Sequence, residues 1–543
     1  MTEPETAPAP PQRWADTLDR RRIVLVLISL MLGMLLGALD ATVVGTAMPR
    51  VIADLNGLQH YAWVTTGYML ASAASMPIWG KLSDAFGRRR FFVLGMVIFV
   101  IGSALCGQSR SMMELVAFRA VQGLGAGAML PINGAIIGDI FPPATRAKWQ
   151  GVLFSVHGFA TIVGPLLGGW ITDSIGWRWT FYVNLPVGAI SVAFALIALP
   201  KHVQRRKHSI DYLGTTLLII ASMALLLGFS WAGSEYPWTS PVVLGLLIFS
   251  VATWAVFVIW ELRAGEPVVN PRLFKNSSFT ISVSAGFLQT AVLFGLVTFL
   301  PLFVQGVMGR TATNSGTVLM PMMLTHVVVS VAGGWLISRW GRYKAMVLSG
   351  FLLTTVGAFL LTRLTVATAS IALVGFMMLI GLGNGLSMGP FNVIVQNEYP
   401  RHRLGEVTAA LQFFRQIGGT VGLAVFGSML NRWFASSLTA ALPGELGTLA
   451  SDPATAGQMA NPQVLLSQDA QAQLGELFTR FGDRADGLLA SFTEAVRSSL
   501  QSGLTRVFLL VAITEGIALF LVFFLREVPL RRTHAEPAVE EAA

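Results

Sequence analysis

Asp40 stands where apolar sequence should run unbroken. It lies inside the stretch Ile23–Val51, IVLVLISLMLGMLLGALDATVVGTAMPRV, after about 17 residues without a charge. An ionised carboxylate in such a span costs a few kcal/mol or more, about what a whole helix span can tolerate. It must be paired, wetted by a cavity, or holding a proton. Desolvation disfavours the charged form of any carboxylate, so this acid can bind and release a proton. A second ionisable residue, Arg119, falls inside another apolar run, about eight residues in from its outer loop. Asp40 is about nine residues before Pro49. At 1.5 Å per residue both sit about 12–14 Å from the outer end of their helices, so they can meet or compete for one space. A neighbouring cation favours an ionised carboxylate, so Arg119 is expected to drive the proton off Asp40. The alternatives are a structural Asp at a helix break and an arginine tied to backbone carbonyls.

Three further ionisable groups interrupt apolar runs. Glu515 is near the middle of FLLVAITEGIALF, His326 follows Met320-Pro321, and Arg415 sits in the early turns of another run. An unperturbed histidine titrates near neutrality, which makes His326 a candidate second proton site. Glu515 is a candidate for cation recognition or a second proton. Buried hydrogen bonding is the alternative for both.

The elements that position these groups are membrane-spanning helices. The chain has 543 residues, 54% hydrophobic and 12% charged, with mean hydropathy +0.64. Soluble domains carry about 25% charged residues. About fourteen apolar runs approach the roughly 20 residues that cross a bilayer as a helix. Their length excludes the alternating tens of a β-barrel, and helices are the other structure that spans lipid. The expected fold class is therefore an all-α polytopic membrane protein. The single cysteine, Cys106, excludes an internal disulfide and a cysteine metal cluster.

The net charge is +9 and the pI about 10.0. If fourteen spans alternate, Arg20–Arg22, Lys81, Arg88–Arg90, Lys201–Lys207, Arg342 and Arg526 all fall on one side. That bias places both termini in the cytoplasm. It also explains the pI by contact with anionic lipid, leaving no role for nucleic acid. The first span acts as an uncleaved insertion signal.

Gly80-x6-Gly87-Arg88 recurs as Gly334-x6-Gly341-Arg342. Repeated halves mark transporters that bind cargo at the interface of the halves. The wide offset is explained by two inserted spans, giving six plus two plus six. The resulting division is a disordered tail (1–20), an N-terminal six-helix bundle (21–200), a basic linker with two inserted helices (201–275), a C-terminal six-helix bundle (276–526) and a cytoplasmic tail (527–543). The outer segment 431–504 reads as an amphipathic helix lying on the membrane or capping the outer mouth, from the helical spacing of Leu488, Leu489, Phe492, Val496 and Leu500.

GKLSDAFGRRR resembles the signature loop of the major facilitator superfamily. LDATVVGTAMP, RAVQGLGAGAMLP and GPLLGG resemble further motifs of its drug:proton antiporters. WRWTFYVNLPVG and QNEYPRHRLGEVTAALQFFRQIGGTVG look like the fourteen-span branch. The resemblance covers nearly all of Ile23 to Leu525. It implies a major facilitator fold of fourteen helices and proton coupling at Asp40, with a functional Arg119 and Gln122 a turn below. It further implies an antiporter signature at Gly158, Gly164, Pro165, Gly168 and Gly169 that seals the outer side. The bare physical reading of that stretch is close packing on a small-residue face. Gly80, Asp84, Gly87 and Arg88 read as a cytoplasmic gate. Its second copy, Gly341–Arg342, lacks the acid, with Ser338 in the place of Asp84, so gating is expected to be asymmetric. His326 occupies the region where some fourteen-span relatives hold an acid linked to doubly charged cations, so the histidine argues against that preference. Gln122, Met129, Met320, Met323, Phe413 and Arg415 are candidates for an adaptable substrate cavity, since methionine repacks around varied shapes.

The expected function is proton-coupled export of lipophilic, cationic small molecules from a bacterial plasma membrane, by a monomer. The rivals are export of a lipid or metabolite, and a scaffold or sensor acting through a partner at 431–504. No phosphate-cradling G-x4-GK[ST] loop, catalytic triad or metal cluster occurs. The chain is therefore expected to be no enzyme and to need no cofactor, drawing energy from a proton gradient.

Overall fold

A computed structural model describes residues 18–55, 61–200, 211–233, 235–310, 312–366, 368–442, 478 and 484–530. Most of the two tails (1–17 and 531–543), residues 201–210 of the basic linker and all of 443–483 except 478 lie outside the described residues. Fourteen helical rods follow one another among those described. They are α1 (Arg20–Leu55), α2 (Tyr61–Phe86), α3 (Arg88–Gln108), α4 (Met112–Ile140), α5 (Pro143–Ser174), α6 (Trp179–Ala198), α7 (Tyr212–Trp231), α8 (Pro241–Glu261), α9 (Ser277–Val307), α10 (Ala312–Trp340), α11 (Lys344–Leu361), α12 (Ser370–Glu398), α13 (Leu404–Ala441) and α14 (Ala485–Phe523). Twelve contain a segment long and apolar enough to cross a membrane. The other two, α2 and α13, are of similar or greater length but carry charges such as Lys81, Asp84, Glu406 and Arg415. They can be less apolar because they pack against each other and against α4 and α9 rather than facing outward alone.

The rods form two bundles, α1–α6 and α9–α14, which meet along two seams. One is α5 against α10, the other α2 and α4 against α13. The inserted pair α7–α8 packs as a hairpin against α2 and α13, spanning the second seam. The turns that close the repeat motif need a left-handed backbone. Gly87 has φ 107° and Gly341 φ 70°, a region in which glycine carries no Cβ penalty. Just before α11, the Tyr343 hydroxyl donates to Arg526 O at 2.9 Å and accepts from Val528 N at 2.9 Å. Burial pushes this phenol up to about 12, so it stays a neutral donor and pins the end of α14.

The outer segment departs from expectation. α13 runs on to Ala441, and α14 is one continuous helix from Ala485 to Phe523. Its 39 residues are roughly 58 Å long at 1.5 Å each, well beyond the ~30 Å hydrocarbon core. Phe492, Val496 and Leu500 do not lie flat on a membrane. They are buried with Leu430, Phe434 and Phe478 in a core that continues into the C-terminal bundle. The apolar stripe was read correctly, but it faces another helix. Truncating the fully buried Phe492 to Ala should therefore lower stability by about 3–5 kcal/mol. That would be seen as an earlier thermal transition of the solubilised protein, with no change for Glu494→Ala.

Candidate functional site

Five helices converge on Asp40. α1 carries the acid. α4 brings Arg119 and, one turn later on the same face, Gln122. Ser111 caps α4 by accepting from Glu114 N at 3.2 Å, while Glu114 accepts from Arg110 N at 2.9 Å. This fixes where the helix begins and so where Arg119 sits. Arg119 Nη1 lies 2.5 Å from Asp40 Oδ2. Gln122 Nε2 donates to Asp40 Oδ1 at 2.8 Å, and Asn184 Nδ2 of α6 approaches the same oxygen at 3.4 Å. Arg119 also donates to Gln122 Oε1 at 2.8 Å and to Val64 O of α2 at 3.3 Å. Its guanidinium stacks 4.1 Å above the Tyr68 ring, a cation–π contact. Asn184 is held in turn by Ser103 Oγ of α3 at 3.0 Å. Asp40, Arg119 and Gln122 are each at most 1% exposed. Every partner of Asp40 is a donor, which is the arrangement an ionised carboxylate takes.

Two residues after Asp40, α1 meets the glycine face of α5. A side chain at Gly164 would clash with Thr42, and one at Gly168 would lie 2.8 Å from Val43 O. Farther along α5, Gly158 abuts Val327 and His326 on α10. α5 thus touches the helix of the acid and the opposite bundle at once. Gly169 has open space around it and Pro165 is exposed, so these two do not share the contact. His326 is buried at this seam, and His157 lies near it.

The Gly80–Arg88 motif makes a cross-bundle contact. Arg88 pairs with Asp84, and its Nε lies 3.0 Å from Asp139 Oδ2. Asp84 accepts from Gly405 N at 3.0 Å and Glu406 N at 2.7 Å. Its charge thereby meets the positive end of α13. Gly80 lies so close to α13 that a Cβ would be 2.6 Å from Gly405 O. Gln396 Nε2 adds a bond to Gly134 O at 3.0 Å. The second copy does not repeat this arrangement. Arg342 is exposed, and Arg339 beside Ser338 lies over Trp335 at 5.5 Å.

The six residues expected to line one substrate cavity do not share a space in this conformation. Gln122 belongs to the Asp40 network. Met129 packs on Gly37 inside the N-terminal bundle, and Phe413 against Trp254 of α8 at 6.1 Å. Met320 is exposed and Met323 is half-buried against the outer core. Arg415 donates to Met388 O at 2.8 Å, and its Nε and Nη1 have no hydrogen-bond partner among the described residues. Glu515 is fully buried, with neither oxygen bonded among the described residues. Asn184 and Gln289 were not singled out from sequence. Gln289 bonds Ser387 Oγ at 2.5 Å inside the C-terminal bundle. A lone amide in an apolar run is the signal that would have found them. A cavity of about 350 Å³ lies elsewhere, between α2, α7, α9 and α13.

Residues 30–423 match the family model described as Major Facilitator Superfamily. The chain is 38% identical over 522 residues to the "Multidrug transporter protein MdtP" of Bacillus subtilis (strain 168), covering 95% of each chain. It is 36% identical to "Multidrug resistance protein 3" of the same organism, covering 94% of this chain and 96% of that one. Among solved structures it superposes on the human organic anion transporter MFSD10, with TM-score 0.57, 16% identity, and 91% and 99% of the two chains covered. The proton:xylose symporter XylE gives TM-score 0.53 at 13% identity, with 93% and 96% covered. These structural likenesses concern the fold.

Breaking the buried pair from one side should be costly. Asp40→Asn leaves Arg119 charged without its counter-ion and should lower stability by about 3–5 kcal/mol. Adding Arg119→Gln should restore a measurable part of it. Thermal unfolding of the wild type, the two single variants and the double variant reads this coupling. Strict additivity would mean that the pair does not interact.

Proposed function

The chain belongs to the Major Facilitator Superfamily, and we propose that it exports lipophilic small molecules across a bacterial plasma membrane in exchange for protons. The protein is a multi-pass, all-α membrane protein, and its basic residues orient both termini toward the cytoplasm in this reading. The names of the two Bacillus relatives support drug efflux as the activity.

One observation carries the proton-coupled reading: an acid and a guanidinium share a buried site walled by five helices. A proton arriving at Asp40 cancels one charge and turns an acceptor into a donor. Arg119 is then a buried cation without a counter-ion, a state that costs several kcal/mol. α1 and α4 must move to relieve it. α1 packs against Gly164 and Gly168 of α5, and α5 against α10, so displacement at the acid reaches the seam between bundles. The Asp84–Arg88 lock then opens in one state and re-forms in the other, giving alternating access. Proton and cargo are mutually exclusive in this scheme, so each releases the other. Glu515 fits a second proton site, because a carboxyl with no hydrogen-bonded neighbour is best tolerated when neutral. No bound cofactor enters the cycle.

Efflux from inside-out vesicles should collapse when a protonophore is added and when Asp40 is replaced by Asn. Efflux indifferent to both removes proton exchange from the account. Asp84→Asn should leave insertion normal while slowing transport about tenfold, measured as initial efflux rate. The reason is that the lock loses its charge-assisted bonds to α13, worth about 1.5–3 kcal/mol.

A further inference from the structure

A cavity lies between α2, α7, α9 and α13, and the Asp40 network does not line it. Its volume, about 350 Å³, is within the range of small-molecule sites. Three of its walls come from the bundles. Thr66 and Met69 lie on α2, near its outer end. Thr420, Ala424, Gly427, Ser428 and Asn431 follow at helical spacing on α13. Phe294 of α9 and Phe229 of α7 also line it. The last wall belongs to the inserted pair, not to the repeated six-helix units.

The tip of that pair grips both bundles. Trp231 meets Trp63 of α2 edge-on at 5.7 Å. Gly233, at φ 76°, folds against α13: a Cβ there would lie 3.1 Å from Ser428 Cβ, and Asn431 Nδ2 donates to Gly233 O at 3.4 Å. The cavity therefore spans the seam that must change in transport, beyond the closed cytoplasmic lock. Asn431 at its rim is exposed, on the side away from that lock.

None of the lining side chains is ionisable. A permanent cation there would find no counter-charge, only ring faces and neutral dipoles against its lost hydration. Leucine and phenylalanine side chains beside small and hydroxylated residues instead suit a lipophilic molecule carrying a polar tip. We propose that this cavity is the cargo site in the present conformation, that α7 is its fourth wall, and that it takes uncharged amphipathic molecules rather than cations. This deepens the export reading above and rests on it. It also replaces the cationic cargo expected from sequence. It has an electrical consequence. Exchange of one proton inward for one neutral molecule outward moves one positive charge per cycle, so the membrane potential drives it. Exchange of one proton for one monovalent cation moves none.

Gly427 offers a clean probe. A Cβ there meets only Phe299 Cζ, at 3.8 Å, so a leucine would project into the cavity without a backbone clash. Gly245 on α8 has open space around it and is exposed, so leucine there controls for the helical substitution itself. The full chain in lipid nanodiscs is titrated with Nile red, an uncharged lipophile, and with tetraphenylphosphonium, a permanent cation. Gly427→Leu should weaken Nile red binding at least tenfold, and Gly245→Leu should leave it unchanged. In proteoliposomes, a potential negative on the cytoplasmic side should accelerate Nile red export. Unchanged Nile red binding in Gly427→Leu, with transport still lost in Asp40→Asn, overturns the cavity assignment and leaves proton-coupled export standing. Tetraphenylphosphonium binding that Nile red displaces and Gly427→Leu weakens equally overturns the uncharged-cargo assignment. Nile red binding that follows Gly427 without any proton-dependent transport upholds the site and removes the export reading instead.

Discussion

A carboxylate and a guanidinium 2.5 Å apart, both shut away from water, constrain everything around them. Neither charge is tolerable alone at that depth. The surrounding helices therefore supply the donors that complete the carboxylate's coordination: an amide from α4, an amide from α6 and an aromatic face from α2 for the cation. Removing the charge from one partner makes the same neighbours unsuitable. In the proposed cycle the pair is therefore a two-state element, and the N-terminal bundle packs around it.

The path outward is steric. Glycines on α5 let it approach α1 on one side and α10 on the other, closely enough that Cβ atoms at Gly164, Gly168 or Gly158 would collide with the facing helix. Packed surfaces of this kind shift between discrete arrangements rather than deforming smoothly. At the Gly80–Arg88 turn an ion pair is combined with a helix N-terminus, Asp84 facing both Arg88 and the first amides of α13. The second repeat keeps the glycine turn but lacks the acid. The two copies share the left-handed glycine, Gly87 and Gly341, and differ in the side chains beside it.

Much of this was legible in the sequence because lipid is a strict solvent. An acid in an apolar run, glycines at a tight turn and arginines on one side each have few physical explanations. Asp40, Arg119 and the Gly80–Arg88 turn therefore stood out before any coordinates. What was not legible depended on three-dimensional partnership. Asn184 sat unremarked in an apolar segment, since only the fold brings it to Asp40. The stripe around Phe492 announced a buried face but not what buried it, and the answer was α13 rather than a membrane surface. Methionines and phenylalanines looked like cavity lining wherever they occurred. Most pack inside bundles, whereas the cavity takes its walls from small and hydroxylated residues of α13 and from α7, a pattern that composition does not reveal.

The central claim is that Asp40 changes its proton in the course of the cycle. Infrared difference spectroscopy on the reconstituted protein, with and without cargo and corrected by the Asp40→Asn variant, observes that proton directly. The account predicts a protonated-carboxyl band that belongs to Asp40, present without cargo at mildly acidic pH and replaced by carboxylate absorption when cargo binds. A carboxylate signal that never changes, across the pH range in which the protein transports, would contradict it.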